Sequence, residues 1–310
     1  MVGEAAFIAA LRALPLHSAA RGLADDCAVL KFGAETLVIT HDTLVEGVHF
    51  LPLEDPRTDA ADVAWKLVAT NLSDLAAKGA APVGVMLGYM LSGAEDRFLA
   101  GLAGVLAEYG VPLLGGDTVG AHEGACAYGM TAIGRATHTP VPSRGGASAG
   151  DGVYLCGTIG AAMHGLDLLT DADASAPAAL TAAYRRPHAL VEQGIALAPH
   201  VTAMMDVSDG LLLDASRMAG ASGVMIDIET GAVPFCADLP ASRRAAPQDD
   251  ALRWGDDYAL LFTASPDAAE ATEKVGGVSR IGTVLPRAEH ALHLDGTAPS
   301  GDPVLGYQHH

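Results

Sequence analysis

Aspartates recur in this chain where apolar segments begin or end. Asp25-Asp26 precede the run Cys27–Leu30, Asp42 closes a second apolar segment, Asp117 follows a third, and Asp206 ends a fourth, with Asp209 soon after. Asp is common in turns and at helix N-caps, so local structure explains any one of them. Together they ask for more, because strand-end loops are where side chains and backbone groups of α/β proteins converge on a site. Neighbouring carboxylates repel one another unless a cation lies between them. Hard cations such as Mg²⁺ take carboxylate and phosphate oxygens.

Asp74 sharpens the point. The segment Asn71–Gly79 reads as the last turns of a helix, where the dipole is negative and a carboxylate is disfavoured by roughly 0.3–1 kcal/mol. An i,i+4 pair with Lys78 recovers about 0.2–0.5 kcal/mol. That pairing explains tolerance of Asp74; a bound metal explains a need for it. Asn71 lies on the same helix face.

Glycine supplies the other half of the chemistry. Gly115-Gly116-Asp117-Thr118 and Asp206-Val207-Ser208-Asp209-Gly210 place small residues beside carboxylates. Missing side chains let backbone N–H groups approach phosphate oxygens, and a helix N-terminus adds favourable charge. There is no G-x-x-x-x-G-K-[ST] and no H-R-D or D-F-G set, so neither a P-loop nor a protein-kinase scheme applies.

The elements that must position these groups are legible in outline. Thr36–Thr40 reads as a strand ending at His41-Asp42, and a helix capped by Thr58 runs to about Lys78. Val83–Leu91 reads as a strand, Ala94–Tyr109 as a helix, Val111–Leu114 as a short buried strand and Ala125–Arg135 as a strand. The Pro-, Gly- and Ser-rich stretch Thr139–Asp151 marks a boundary between an N-terminal domain, 1–138, and a C-terminal domain, 139–310. Beyond it, strands at Val153–Cys156, Val201–Met205, Gly223–Ile228, Tyr258–Thr263 and Ser279–Val284 alternate with helices at Ala189–Ala198, Leu211–Ala219 and Pro266–Lys274. Mixed strands and helices in both halves predict two α/β (α+β) domains.

Composition limits the partners. The 310 residues carry 18 Lys and Arg against 37 Asp and Glu, a net charge of −19, which argues against nucleic acid and anionic membranes. Four scattered cysteines with no CxxC pair argue against zinc or a disulfide framework and for a reducing compartment. Ala5–Leu14 reads as a short helix, not a signal peptide. The apolar stretch near Ala80–Leu91 is shorter than the about 20 residues that span a bilayer. A cytoplasmic location is the expectation.

Taken in order, ADDCAVL at 24–30, THDTLVEGVHF at 40–50, NLSDLAAKGA at 71–80, GGDT at 115–118, DVSDGLLLD at 206–214, WGDDYALLF at 254–262 and Gly306-Tyr307 resemble the thiamine-monophosphate kinase family. The resemblance spans nearly the whole chain. It implies a two-domain fold shared with aminoimidazole ribonucleotide synthetase, a homodimer formed through the N-terminal domains, and phosphorylation of thiamine monophosphate by ATP. It further implies that Asp26, Thr40, Asp42, Asp74, Asp117, Asp206 and Asp209 hold several Mg²⁺ ions. On the same basis Gly116, Asp117, Arg144 and Ser208 hold ATP, and His49, Asp256 and Tyr307 hold the thiamine substrate. Asp42, Asp74, Asp117, Asp206 and Arg144 are then the catalytic set. His41 stands where the family usually has Thr, and Asp256 where it usually has Glu; a neutral imidazole is a poor Mg²⁺ ligand, so His41 is not expected to be one.

The expected mechanism is direct in-line transfer, in which cations neutralise the transferring phosphoryl group. Another synthetase of the same fold and a non-catalytic metal-binding or scaffold protein are the alternatives. ADP release with and without thiamine monophosphate separates them.

Overall fold

A computed structural model describes residues 4–120, 124–171, 178–299 and 304–308. Helix α1 (Glu4–Leu11) leads to β1 (Ala28–Phe32) and β2 (Glu35–Val45), then α2 (Ala60–Ala76), β3 (Ala80–Leu91), α3 (Glu95–Tyr109), β4 (Leu113–Gly120) and β5 (Ala127–Ala136). These strands form one sheet in the order β1-β2-β5-β3-β4, antiparallel except for the β3–β4 pair. After residue 136 come β6 (Gly152–Cys156), α4 (Ala161–Thr170), α5 (Ala178–Arg185), α6 (Val191–Leu197), β7 (Ala203–Asp206), α7 (Leu211–Ser222) and β8 (Met225–Ile228). Helices α8 (Pro247–Arg253) and α9 (Ala269–Glu273) flank β9 (Leu260–Ala264), and β10 (Val278–Leu285) and β11 (Leu292–Leu294) follow. The second sheet has the order β11-β8-β10-β6-β9-β7 and is antiparallel except for β8–β11.

Helix α2 is the hinge of the design. Asp59 caps it by accepting the Ala61 N–H at 2.9 Å, a contribution of about 1 kcal/mol, and Asp62 complements the dipole in its first turn. The cap is therefore Asp59 and not Thr58, whose hydroxyl turns back to the Leu51 carbonyl. One face packs on the first sheet through Leu67, Leu72 and Leu75; its last turn meets the second domain, where Ala76 and Ala77 touch Tyr154, Met204 and Phe262. Covered on all sides, α2 buries Lys66, Asn71 and Ser73, and buried polar groups of this kind demand partners.

Two strand expectations change. The Thr36–Thr40 strand continues through Asp42 to Val45, because its β-branched run pairs with β5 along its whole length. The strand expected at Val111–Leu114 is instead β4, shifted to Leu113–Gly120 and exposed along its length at the sheet edge. Strand β1, helices α4, α5 and α8, and β11 add to the elements read from sequence. No helix among the described residues is long and apolar enough to cross a membrane.

Candidate active site

The principal cavity, about 570 Å³, lies between the two sheets. At its acidic end stand Asp42 from β2, Asp74 from α2, Asp206 at the end of β7, and Ser208 and Asp209 from the loop that follows. His49, Asp256 and Tyr307 line the same cavity.

The acidic end is strained by its own charge. Burial raises the Asp42 carboxyl to about 6, with Asp26 and Asp209 adding to the effect. Burial, then Asp26 and Asp42, raise Asp206 to about 7, against the hydrogen bond that Ser73 Oγ donates to its Oδ2 at 2.6 Å. Asp74 is pushed well up by burial and by Asp42 and Asp206, while Thr40 donates its hydroxyl to Asp74 Oδ2. Among the described residues none of these three has a cationic side chain at ion-pair distance. Nor do three or more His, Cys, Asp or Glu side chains among them form a ready metal cage. A hard cation that shares its coordination with nucleotide phosphates fits this donor set: carboxylates converge, and opposite charge is what they lack.

Beside this end, Asp25 and Asp26 face a different environment. Lys78 Nζ lies 2.6 Å from Asp25 Oδ1 and 2.8 Å from Asp26 Oδ2. The expected Asp74–Lys78 pair is therefore not made: Lys78 follows the last helical residue of α2 and turns to the start of the chain. Arg144 binds Asp26 Oδ1 and Arg21 binds Asp25 Oδ2. Burial alone would raise Asp26, but Lys78 and Arg144 hold it well below the usual carboxylate range. The buried Nε of Arg144 has no hydrogen-bond partner among the described residues, so a donor remains for an anion.

The loop after β7 is braced from below. Buried Asp214 accepts the Asp209 N–H at 3.1 Å, and Arg217 joins Asp209 to Asp214. Gly306 sits so close that a Cβ there would lie 2.4 Å from the Asp209 carbonyl oxygen, and the Tyr307 N–H donates to that oxygen at 2.9 Å. Gly306-Tyr307 is thereby seated on the loop after β7.

In the loop before β9, Asp256 and Tyr258 have positive φ of 67° and 52°. Such conformations cost roughly 1–3 kcal/mol each and persist only where surroundings enforce them. Here the Asp256 N–H donates to Ser208 O and the Tyr258 N–H to Val207 O, each at 2.9 Å, while the intervening Asp257 caps α4 by accepting the Gly160 N–H. Lys66 Nζ donates to Asp256 Oδ2 at 2.7 Å and to the His49 carbonyl at 3.0 Å, over the Tyr184 ring at 4.2 Å. His49 Nδ1 accepts the Val45 N–H at 3.0 Å, which places the proton of the neutral ring on Nε2.

Gly116 and Asp117 lie elsewhere. They are on β4, where Gly116 pairs with Leu87, Leu87 with Met130 and Met130 with Asp42. Three strand spacings of about 4.8 Å put that row roughly 14 Å from Asp42. A Cβ on Gly116 would lie 1.9 Å from the Leu87 carbonyl oxygen, so strand packing alone demands glycine there. Exposed His41 is engaged with Thr131. The roles of Lys66, Ser73 and Asp257 escape sequence reading, since their partners lie far along the chain, and so does the Asp25–Asp26 partnership of Lys78.

Two family descriptions match the chain: the AIR synthase related protein N-terminal domain over residues 24–136 and its C-terminal domain over residues 148–295. Fold and cavity together thus define an AIR-synthase-related protein. The thiamine-monophosphate kinase of Escherichia coli (strain K12) is 37% identical over 263 residues, covering 78% of this chain and 75% of that one. Among solved structures, AaThiL complexed with AMPPCP and TMP aligns with a TM-score of 0.83 at 26% identity, covering 100% of this chain and 97% of that one. The thiamine-monophosphate kinase from Stenotrophomonas maltophilia K279a aligns at 0.77 with 34% identity, over 89% and 90% of the two chains. This chain belongs to the thiamine-monophosphate kinase family.

Proposed function

We propose that the protein transfers the γ-phosphoryl group of ATP to thiamine monophosphate, giving thiamine diphosphate and ADP. The observation that carries this reading is one cavity whose lining combines the carboxylates Asp42, Asp74, Asp206 and Asp209 with His49, Asp256 and Tyr307. The names of the relatives, and the ATP analogue and TMP bound by AaThiL, support the same pair of substrates.

Asp42, Asp74, Asp206 and Asp209 would hold Mg²⁺, with Thr40 orienting Asp74 and Ser208 facing the nucleotide phosphates. Bound there, Mg²⁺ would supply electrostatic relief of the phosphate charge. Arg144, whose Nε has no hydrogen-bond partner among the described residues, would pair with the same phosphates, as a guanidinium is suited to do. His49 and Asp256 position the acceptor, and Tyr307 offers a ring for a flat heterocycle. The acceptor is a phosphate whose second pKa is near 6, so it is mostly dianionic at neutral pH and needs no general base. The reaction is then a single displacement without a phosphoenzyme, and ATP made chiral at the γ-phosphorus should give inverted product.

The reading includes a homodimer. The outer face and edge of the first sheet expose Val83, Met86, Leu91, Leu113, Leu114 and Val119 at 39–52%, an apolar surface suited to burial against a second copy. In that arrangement Gly116 and Asp117 are offered across the interface. A cytoplasmic setting suits substrates of this kind and four free cysteines. The deciding assay is ADP release in Mg²⁺ with and without thiamine monophosphate. Release that does not depend on thiamine monophosphate would remove it as acceptor.

A further inference from the structure

Two acidic corners adjoin the cavity, and they are compensated in opposite ways. Asp42, Asp74 and Asp206 have no cationic partner among the described residues. Asp25 and Asp26 have three: Lys78 bridges both carboxylates, Arg144 takes the second oxygen of Asp26, and Arg21 takes the second oxygen of Asp25. We infer that the Lys78 ammonium is a built-in cation at the Asp25–Asp26 corner, and that this corner takes no divalent metal ion. The inference rests on the proposal that Mg²⁺ works in this cavity, and it divides that task between a resident side chain and exchangeable ions.

The argument is geometric first. A hard divalent cation shared by Asp25 and Asp26 needs carboxylate oxygens at about 2.1 Å. The point between Asp25 Oδ1 and Asp26 Oδ2 is held by Lys78 Nζ, 2.6 and 2.8 Å away. Lys78 is fully buried and its ammonium also donates to the Met204 carbonyl at 3.2 Å, so it has no solvent-facing position to retreat to. Charge points the same way. Three cations already face two carboxylates, and a further double positive charge in this buried corner would meet repulsion from Lys78, Arg144 and Arg21. At the other corner the same ion meets only carboxylates. The assignment of Asp26 as a metal ligand, implied by family resemblance, is the one that this arrangement disfavours.

The test counts ions rather than turnover. Bound Mn²⁺ per chain is measured by loss of the free-ion paramagnetic resonance signal, with AMPPCP present, for the wild-type protein and for Lys78→Met. The variant is expected to bind one more Mn²⁺ per chain than the wild type, and its melting temperature should rise more on adding Mn²⁺. Equal counts above zero would overturn the inference and leave the metal-based reading intact. No Mn²⁺ bound by either protein beyond that held by free nucleotide would overturn both. If the variant does not fold, wild-type crystals soaked in Mn²⁺ decide the matter. Anomalous peaks confined to Asp42, Asp74 and Asp206 support the inference; a peak at coordination distance from Asp26 overturns it.

Discussion

Lys66 Nζ and Asp256 Oδ2 lie 2.7 Å apart, joining a fully buried lysine of the first domain to a cavity-lining aspartate of the second. The same ammonium holds the His49 carbonyl, so one side chain fixes two acceptor-end residues. Lys66→Met should raise KM for thiamine monophosphate about tenfold or more while KM for ATP moves little. Stability should fall, by less than the roughly 3–5 kcal/mol of a wholly buried pair, because Asp256 is partly exposed. Steady-state kinetics with each substrate varied, beside a denaturant titration, checks both. Equal rises in the two KM values would mean that Lys66 only holds the domains together.

Asp74→Asn should lower kcat by on the order of 10²-fold or more, the usual scale for removing a group that organises transition-state charge. The fold should not suffer, since the substitution removes one of three crowded carboxylates. Its melting temperature in chelator should equal or exceed that of the wild type. Lost activity accompanied by a lower melting temperature would count against this role.

The pH dependence of stability has a definite sign. In the unfolded chain Asp42 and Asp206 ionise near 3.8, but in the fold they hold their protons to about 6 and about 7. Between those values the native state binds more protons than the unfolded one, so stability falls as pH rises. This contribution is fully present below about pH 4 and is lost by the time pH passes 7. Excess Mg²⁺, by favouring the ionised forms, should flatten part of the slope. Asp214 and Asp257, raised by burial to about 8 and about 7, keep the remainder. Calorimetry at pH 6 in buffers of different ionisation enthalpy should show proton release on Mg²⁺ binding. A release of zero would sink this account.

Gly306→Ala should push the chain end off the Asp209 carbonyl and displace Tyr307. Both Gly306→Ala and Tyr307→Ala should raise KM for thiamine monophosphate more than KM for ATP. If Gly306→Ala is silent, the close approach at that glycine does not place the ring.

In the homodimer proposed above, Asp117 on the exposed β4 would serve the site of the partner subunit. Asp117→Ala and Asp74→Asn should each be inactive. Random mixing of their subunits in a two-fold dimer should restore about a quarter of wild-type activity, because half the dimers are mixed and one of their two sites is intact. No recovery on mixing, with dimers confirmed by sedimentation, would place Asp117 in its own chain's site.

The legible parts of the site are those with local signatures. Asp42 and Asp206 could be found because apolar runs end at them, and Asp74 because a carboxylate near a helix C-terminus is electrostatically out of place. Lys78 was legible only as a neighbour of Asp74, since i,i+4 spacing offers that pairing and nothing local announces Asp25 and Asp26. Lys66 reads as a solvated residue of an apolar helix; it is buried because a second domain covers the face that a one-domain helix would leave wet. The β4 boundary slipped because Pro112 and the glycines interrupt the apolar pattern, while its pairing with β3 carries the strand through them. Asp257 hides beside Asp256 in the sequence, and only the position of α4 separates a cap from a cavity wall.

Helix α2 also acts as a ruler. At 1.5 Å per residue, Ser73 stands about 10 Å along the axis from Lys66, and Lys78 lies just past the helix end. Lys66 addresses the acceptor end, Ser73 reaches Asp206, and Lys78 meets the Asp25–Asp26 corner. The spacing between the side chains that hold Asp256 and Asp206 is therefore set by a count of residues along α2. One residue inserted between Lys66 and Ser73 would turn everything beyond it by about 100°, and the two could no longer hold Asp256 and Asp206 together.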